Sequence, residues 1–220
     1  MKYSLTFLLF FTIFLAGNLF AATQVQQVNI TDDTSNQTIT FNYFNSSLGT
    51  LTGVTVELYA TTTGGYHHAD NDGQSAAYPV EIFLGATFNL HDETTAPRLL
   101  NPSFADVWLT QTADSHEDSL AADDGDGATF DTSPPDGVQW FATGSSDTVT
   151  DNIHSLFISG YVGSGTFNYI LYKSDYLHIE ATGGDIDGQY SGSDLGGYVK
   201  LTYIYDEPLA VELSTFAAYY

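Results

Sequence analysis

Cysteine is absent from the 220 residues, and lysine and arginine together number only 4. Without cysteine, disulfides and a lipid anchor on cysteine are excluded, so stability has to come from burial, backbone pairing or bound ions. The few basic residues face 27 acidic ones, and the net charge is −23. Such a surface repels phosphate backbones and anionic lipid, so we predict no nucleic-acid partner. It suits solubility, a salty medium or divalent cations.

Long apolar runs are also scarce, and the clearest one lies at the N-terminus. The run LTFLLFFTIFLAG follows Lys2 and ends in NLFAATQ. This is the pattern of a secretory signal peptide, because the run is shorter than the roughly 20 residues of a membrane span. We expect residues 1–22 to be a signal peptide cleaved after Ala21 or Ala22, with an uncleaved anchor as the alternative. The predicted location is secreted or cell-surface, without membrane insertion after signal removal.

A helical period of useful length is missing from the rest of the chain, which alternates instead. GVTVELYA places Val54, Val56 and Leu58 on one face, and similar alternation recurs in YPVEIFLGATFNL, TFNYILYK, YLHIEA and GYVKLTYIY. Alternation of this kind indicates antiparallel strands with one buried face. Segments rich in Gly, Asp and Ser separate them, and the longest predicted loops are residues 61–77, 113–128 and 181–197.

These patterns predict an all-β fold. We expect one antiparallel β-sandwich, jelly-roll or Ig-like, over residues 23–207, followed by a C-terminal strand or linker at 208–220. The 15 Tyr and 15 Phe residues exclude a disordered acidic chain, which lacks aromatics.

One phrase carries a family resemblance. FNSSLGTLTGVTVELYA, from Phe44 to Ala60, resembles the signature of the choice-of-anchor E family of exported bacterial surface domains. YVGSGTFNYILYK and GGYVKLTYIYDEP resemble its late and closing strands, in the same order. The resemblance implies a secreted all-β module beside varied surface-sorting signals, with no established activity and no catalytic residues to carry over.

The tail carries a second resemblance. PLAVELSTFAA, from Pro208, is similar to the segment that precedes the sorting domains of the type IX secretion system. A plain terminal strand is the alternative. Whether the protein continues past Tyr220 into a sorting domain is left open.

Short Asp/Gly motifs carry the candidate metal chemistry. DNDG, DDGDG and DIDG place carboxylates beside glycine, and calcium takes about six to eight oxygen ligands of this kind. None fits a full EF-hand loop, and ordinary solvated turns are the alternative. The tentative calcium ligands are Asp123, Asp124 and Asp126 first, then Asp70, Asp72, Asp185 and Asp187. No other cofactor is predicted.

Histidines and aromatics give weaker signals. HHADND, which begins at His67, and DSHED, at residues 114–118, are predicted loops with transition-metal ligands, and surface histidines are the alternative. His178 alternates with apolar neighbours and is predicted to face solvent. Several aromatics would form either a sugar-stacking face or ordinary packing. They are Trp108, Trp140, Phe141, Tyr169, Tyr172 and Tyr176.

No catalytic motif stands out in the sequence. Carboxylate pairs arise by chance in so acidic a chain, no G-x-S-x-G surrounds a serine, and the GSG at 163–165 enters a predicted strand. We predict no enzyme activity and a structural or adhesive role, for example as a subunit of an extracellular layer or fibre. Expected partners are copies of the protein, other surface proteins or polysaccharide. The alternatives are a calcium-dependent carbohydrate-binding module and a secreted hydrolase.

Overall fold

A computed structural model describes residues 21–32, 36–105 and 108–208, and at 108–113 only the backbone. Most of the predicted signal peptide and the stretch 209–220 lie outside these residues. The described chain forms eleven strands. Their bounds are Ala21–Asn29 (β1), Gln37–Asn42 (β2), Thr50–Thr63 (β3), Tyr66–Asn71 (β4), Ala77–Asp92 (β5), Trp108–Leu120 (β6), Gly137–Phe141 (β7), Ser145–Asn152 (β8), Thr166–Ala181 (β9), Ile186–Ser191 (β10) and Asp194–Asp206 (β11).

Helix is limited to short pieces. Two 3₁₀ segments, Ser46–Leu48 and Ser155–Tyr161, connect strands of the described chain. Within the described ranges, no helix has the length and apolar character to cross a membrane.

Two four-stranded antiparallel sheets form the body of the protein. The first sheet has the order β1-β11-β3-β8, and the second has the order β2-β9-β5-β6. When β4, β7 and β10 are set aside, the sheets contain strands 1-8-3-6 and 2-7-4-5 of an eight-strand chain. That order is the double Greek key of a jelly roll. The predicted all-β antiparallel sandwich is therefore confirmed, in its jelly-roll form.

The core lies between these two sheets, and the alternation predicts it well. Val54, Val56 and Leu58 of β3 are at most 1% exposed, and Phe167, Tyr169 and Leu171 of β9 are similarly buried. Burying each side chain of this size contributes roughly 1.5–3 kcal/mol. The phenol of Tyr169 donates to that of Tyr161 at 2.7 Å inside the core, so this polar pair is satisfied. An aromatic core of this kind can stabilise the fold without cysteine.

A third, small sheet with the order β10-β4-β7 was not predicted. β4 and β10 lie within the segments 61–77 and 181–197, which the sequence predicts as loops, whereas β7 coincides with VQWFAT, a short stretch with strand character. Each strand is inserted into a different connection, β3 to β5, β6 to β8 and β9 to β11. These three connections emerge at the same end of a jelly roll, which brings the strands together. We call this end of the molecule the tip.

The small sheet buries its inner face on the second sheet. Ala69 of β4 packs in a second hydrophobic cluster with Val80, Ile82 and Leu120, none more than 2% exposed. His67, two residues before Ala69 and on the same face of β4, is also fully buried. Burial of this face fixes which side of the small sheet remains outward.

Candidate functional site

The tip gathers all three Asp/Gly motifs that the sequence singles out. The loops at 72–76, 121–136 and 182–185 meet there, beyond the ends of the small sheet. Asp72 donates its backbone N–H to the carbonyl of Asp185 at 3.0 Å, and Asp123 donates to that of Gly73 at 2.9 Å. Motifs that lie far apart in the chain are therefore direct neighbours in space.

Asn71 is the residue that holds these loops together. It is fully buried at the end of β4. Its Oδ1 accepts from the N–H groups of Gly73 and Asp185 at 3.0 and 2.9 Å. Its Nδ2 donates to the carbonyls of Ser75, at 2.9 Å, and Ala121. One amide side chain thus uses its donors and acceptors to join all three loops.

A first carboxylate cluster lies beside Asn71. Asp70, Asp131 and Asp136 each place one oxygen so that the three lie within 4.8 Å of one another. Asp70 and Asp136 are each only 3% exposed. Oδ2 of Asp70 accepts from the Asp131 N–H at 2.8 Å, and Oδ2 of Asp136 accepts from the Asp124 N–H at 2.7 Å. Within the described residues, these two carboxylates receive no other hydrogen bond.

A second cluster contains the acids predicted first as calcium ligands. Asp123, Asp124 and Asp126 also bring three oxygens within 4.8 Å of one another. Oδ1 of Asp123 accepts from the N–H groups of Gly125 and Gly127 at 3.1 and 3.2 Å. This cluster is more exposed than the first. The hydrogen bond from the Asp124 N–H to the Asp136 carboxylate links the two clusters.

Repulsion between carboxylates is evident at the tip. Desolvation raises the pKa of Asp72, and Asp70, Asp187, Asp123 and Asp185 raise it further by their charges. Asp72 therefore lies close enough to four other predicted ligands for their charges to act on it.

Asp126 shows the same effect. Desolvation raises its pKa first, and Asp124, Asp131, Asp123 and Asp70 add charge repulsion. Asp70 and Asp123 act on both Asp72 and Asp126, so acids of the loops and of β4 share one electrostatic environment.

Compensating positive charge lies elsewhere in the described chain. Arg98 pairs with Asp92 at 3.2 Å, Lys200 pairs with Glu57 at 2.6 Å, and Lys173 donates to the Thr31 carbonyl at 2.8 Å. Neither Asp70 nor Asp136 forms an ion pair among the described residues. Burying unpaired carboxylates is costly, and a bound cation removes that cost.

The structure revises several details of the predicted site. Asp70 and Asp187 are opposite each other in strands β4 and β10, not in solvated loops. Asp131 and Asp136 were missed because the segment DTSPPDG reads as an ordinary turn, and burial cannot be inferred from it. Asn71 was missed because HHADND also reads as a loop, and the burial of its amide cannot be inferred from the sequence. The ligand assignments themselves remain predictions.

The histidine predictions need correction as well. HHADND and DSHED are strands, since they lie in β4 and β6. His67 is fully buried, with no hydrogen-bond partner on either ring nitrogen among the described residues, so it is not a surface histidine. Burial and the nearby His68 and His116 lower its pKa to about 4. His178 does face solvent, as predicted, with its side chain 54% exposed.

The predicted aromatic face is not present as a unit. Tyr169 is fully buried and Trp140 packs against the second cluster, so both contribute to packing. Phe141 is 62% exposed and Tyr172 is 46% exposed, but they belong to different sheets. The Trp108 side chain lies outside the described residues.

Comparison with known proteins gives weak likenesses. No family model matches the chain, and no curated protein gives a significant match. Among solved structures, infectious bursal disease virus Gx strain shares 14% identity with a TM-score of 0.20, covering 87% of this chain and 37% of that chain. The Gt strain gives 14% identity, a TM-score of 0.18 and coverages of 87% and 38%. The D431N mutant VP2 protein of that virus, in derived T=1 particles, shares 13% identity with a TM-score of 0.17, covering 84% of this chain and 36% of that chain. The chain thus spans little more than a third of those proteins, and scores this low support no conclusion about function.

Proposed function

We propose that this protein is an exported, non-catalytic β-sandwich with a structural or adhesive role outside the cell, and that calcium stabilises its tip. One observation carries the cation: Asp70 and Asp136, each 3% exposed, lie with Asp131 in one oxygen cluster without a positive partner in the described chain. The signal-peptide pattern and the resemblance to choice-of-anchor E domains support the location.

Calcium suits the donors better than a transition metal does. Both clusters offer carboxylate oxygens only, which hard cations prefer, whereas zinc and copper prefer sites that include imidazole or thiolate. The flexible geometry of calcium also fits ligands supplied by several loops. Extracellular modules bind calcium with dissociation constants of roughly 10⁻⁴–10⁻³ M, which matches the proposed location.

A bound cation would offset the repulsion that raises the pKa of Asp72 and Asp126. Both carboxyl groups lie among other carboxylates on loops of the tip. Their perturbation follows from desolvation and mutual repulsion, which a bound cation relieves, and it requires no catalytic role. The secreted-hydrolase alternative has no further observation in its favour.

Thermal unfolding tests the cation. If the dissociation constant is about 10⁻⁴ M, calcium at 10 mM stabilises the folded state by about 2.7 kcal/mol. For a domain of this size, we expect Tm to rise by roughly 5–10 °C relative to a sample in EGTA. Magnesium at the same concentration should give a smaller shift, because it demands stricter octahedral geometry.

Two matched variants locate the effect. Asp136→Asn removes a buried ligand charge and should abolish most of the calcium-dependent shift. Asp194→Asn makes the same chemical change at an exposed position outside both clusters and should leave the shift intact. An unchanged Tm on adding calcium to the wild type would refute the cation proposal.

The structural or adhesive role needs a separate test. Sedimentation velocity of the secreted protein over a wide concentration range measures self-association. We expect a subunit of a layer or fibre to form larger species as concentration rises. A protein that stays monomeric throughout, and also binds no surface component, would contradict the role.

A further inference from the structure

The outer face of the small sheet has an ordered arrangement of side chains. Strand register places residues opposite one another across β10, β4 and β7. Side chains directly opposite on the same face lie about 4.5–5.5 Å apart at Cβ. Three rows cross the face, and they are Ser191–Tyr66–Phe141, Gln189–His68–Gln139 and Asp187–Asp70–Gly137.

Aromatic rings run along this face at right angles to the rows. Tyr66 stacks on His68 with ring centroids 4.7 Å apart and planes at 28°. His68 in turn lies 6.5 Å from Phe130, which the loop at 121–136 contributes, with planes at 30°. Phe141 flanks Tyr66 at 6.3 Å. Tyr66 is 38% exposed and Phe141 is 62% exposed, so solvent reaches this series of rings.

The side-chain amides of two glutamines flank the rings. Gln139 and Gln189 are exposed on either side of His68. Within the described residues, neither side chain has a hydrogen-bond partner. Each amide offers both donors and an acceptor to a ligand. The buried Asp70 closes the far row, next to the cation cluster described above.

Charge and shape narrow the class of ligand. The described Lys and Arg side chains contact groups in the body of the protein, so none of them is placed to pair with an anionic ligand on this face. The exposed parts of Tyr66 and Phe141 offer apolar contact, and neighbouring amides can orient hydroxyl groups by hydrogen bonding. A sugar ring presents both an apolar C–H face and a rim of hydroxyls. Exposed rings and amides spread across three strands suit an extended sugar chain better than a single small molecule.

We propose that this face binds a neutral polysaccharide, with Tyr66 and Phe141 contacting sugar C–H groups and Gln139 and Gln189 orienting hydroxyls. The proposal rests on the adhesive role above and names its ligand class. It does not depend on calcium for direct contact, although Asp131 anchors the same loop that carries Phe130.

Affinity electrophoresis and pull-down test the proposal with the full secreted protein. The probes are cellulose, chitin, a soluble β-glucan and a mannan as neutral polymers, and alginate as an anionic one. We expect retention by at least one neutral polymer and none by alginate. The Tyr66→Ala/Phe141→Ala variant should weaken that retention about tenfold or more, because truncating aromatic anchors removes most of the contact.

Matched variants separate recognition from folding. Gln139→Ala/Gln189→Ala changes only exposed side chains and should reduce retention severalfold with an unaltered Tm. Tyr172→Ala removes an exposed aromatic from the second sheet and should bind as the wild type does. No retention by any neutral polymer, or retention that both double variants preserve, would overturn the proposal. A dimer that dissociates in these variants would also overturn it, because a second copy would then occupy the face.

Parallel measurements in calcium and EGTA distinguish the two proposals. Polysaccharide retention without any calcium-dependent Tm shift refutes the cation and leaves this face supported. A calcium-dependent shift without retention refutes the face alone.

Discussion

Replacement of Asn71 by alanine is the sharpest test of how the tip is held together. The change deletes four hydrogen bonds, to the backbone of Gly73, Ser75, Ala121 and Asp185. Each such bond contributes roughly 1 kcal/mol net, and groups left unpaired in a buried site add to the cost. We therefore expect Asn71→Ala to lower the free energy of unfolding by about 4 kcal/mol.

Urea and thermal unfolding measure this loss. For a domain of this size, about 4 kcal/mol corresponds to a fall in Tm of roughly 8–16 °C. The control is Asn168→Ala, which removes a single exposed bond from Thr40 at 2.9 Å and should cost about 1 kcal/mol or less. If Asn71→Ala costs no more than this control, the loops are not organised by the Asn71 amide and the reasoning fails.

Two further predictions concern how stability depends on pH, through buried His67 and through the hydrogen bonds that tie Asp114 of β6 to Thr143. The pKa of His67 falls to about 4 when the protein folds, so its contribution to stability is fully present above about pH 6.5 and is lost as pH drops towards 4. In urea titrations at pH 4, the wild type should lose about 3 kcal/mol through this group, and His67→Leu should abolish that loss. An equal pH dependence in both proteins would contradict this. The hydrogen bonds from Thr143 to the Asp114 carboxylate lower its pKa, so this contribution is present above the unfolded pKa and lost as pH falls below it. Asp114→Asn should lower Tm by a few degrees at pH 7 but have little effect near pH 2, and an equal effect at both values would argue against the tether.

Strand pattern predicts the body of the fold because its signal is strong and local. In β3, Val54, Val56 and Leu58 alternate with polar residues, and all three are buried. The small sheet gives a weaker signal. Its strand YHHADN mixes polar and apolar residues on both faces, and its partners QY and QWF come from distant connections. These segments come together only when the jelly roll closes, and the pattern of a single sequence does not show which distant segments will meet.

The candidate site was predictable in composition but not in geometry. The Asp/Gly motifs marked loops that meet at the tip, because turn chemistry and oxygen ligands share these residue types. Their meeting at one end depends on chain topology, and the burial of Asp70 and Asp136 depends on which loop folds over which strand. The aromatics could not be assigned to a face or to the core for a related reason, since Tyr169 alternates in the same way whether its face is core or solvent.

Placing three strands in three separate connections has a consequence for the order of assembly. The small sheet can gain its pairing only after the eight-strand body has already paid the entropy of closing those connections. We therefore expect the tip to condense last and to open first, as a cooperative unit of its own. Amide hydrogens of β4 should then exchange earlier than those of β5, and protease sensitivity should begin at the tip while the aromatic interior stays intact.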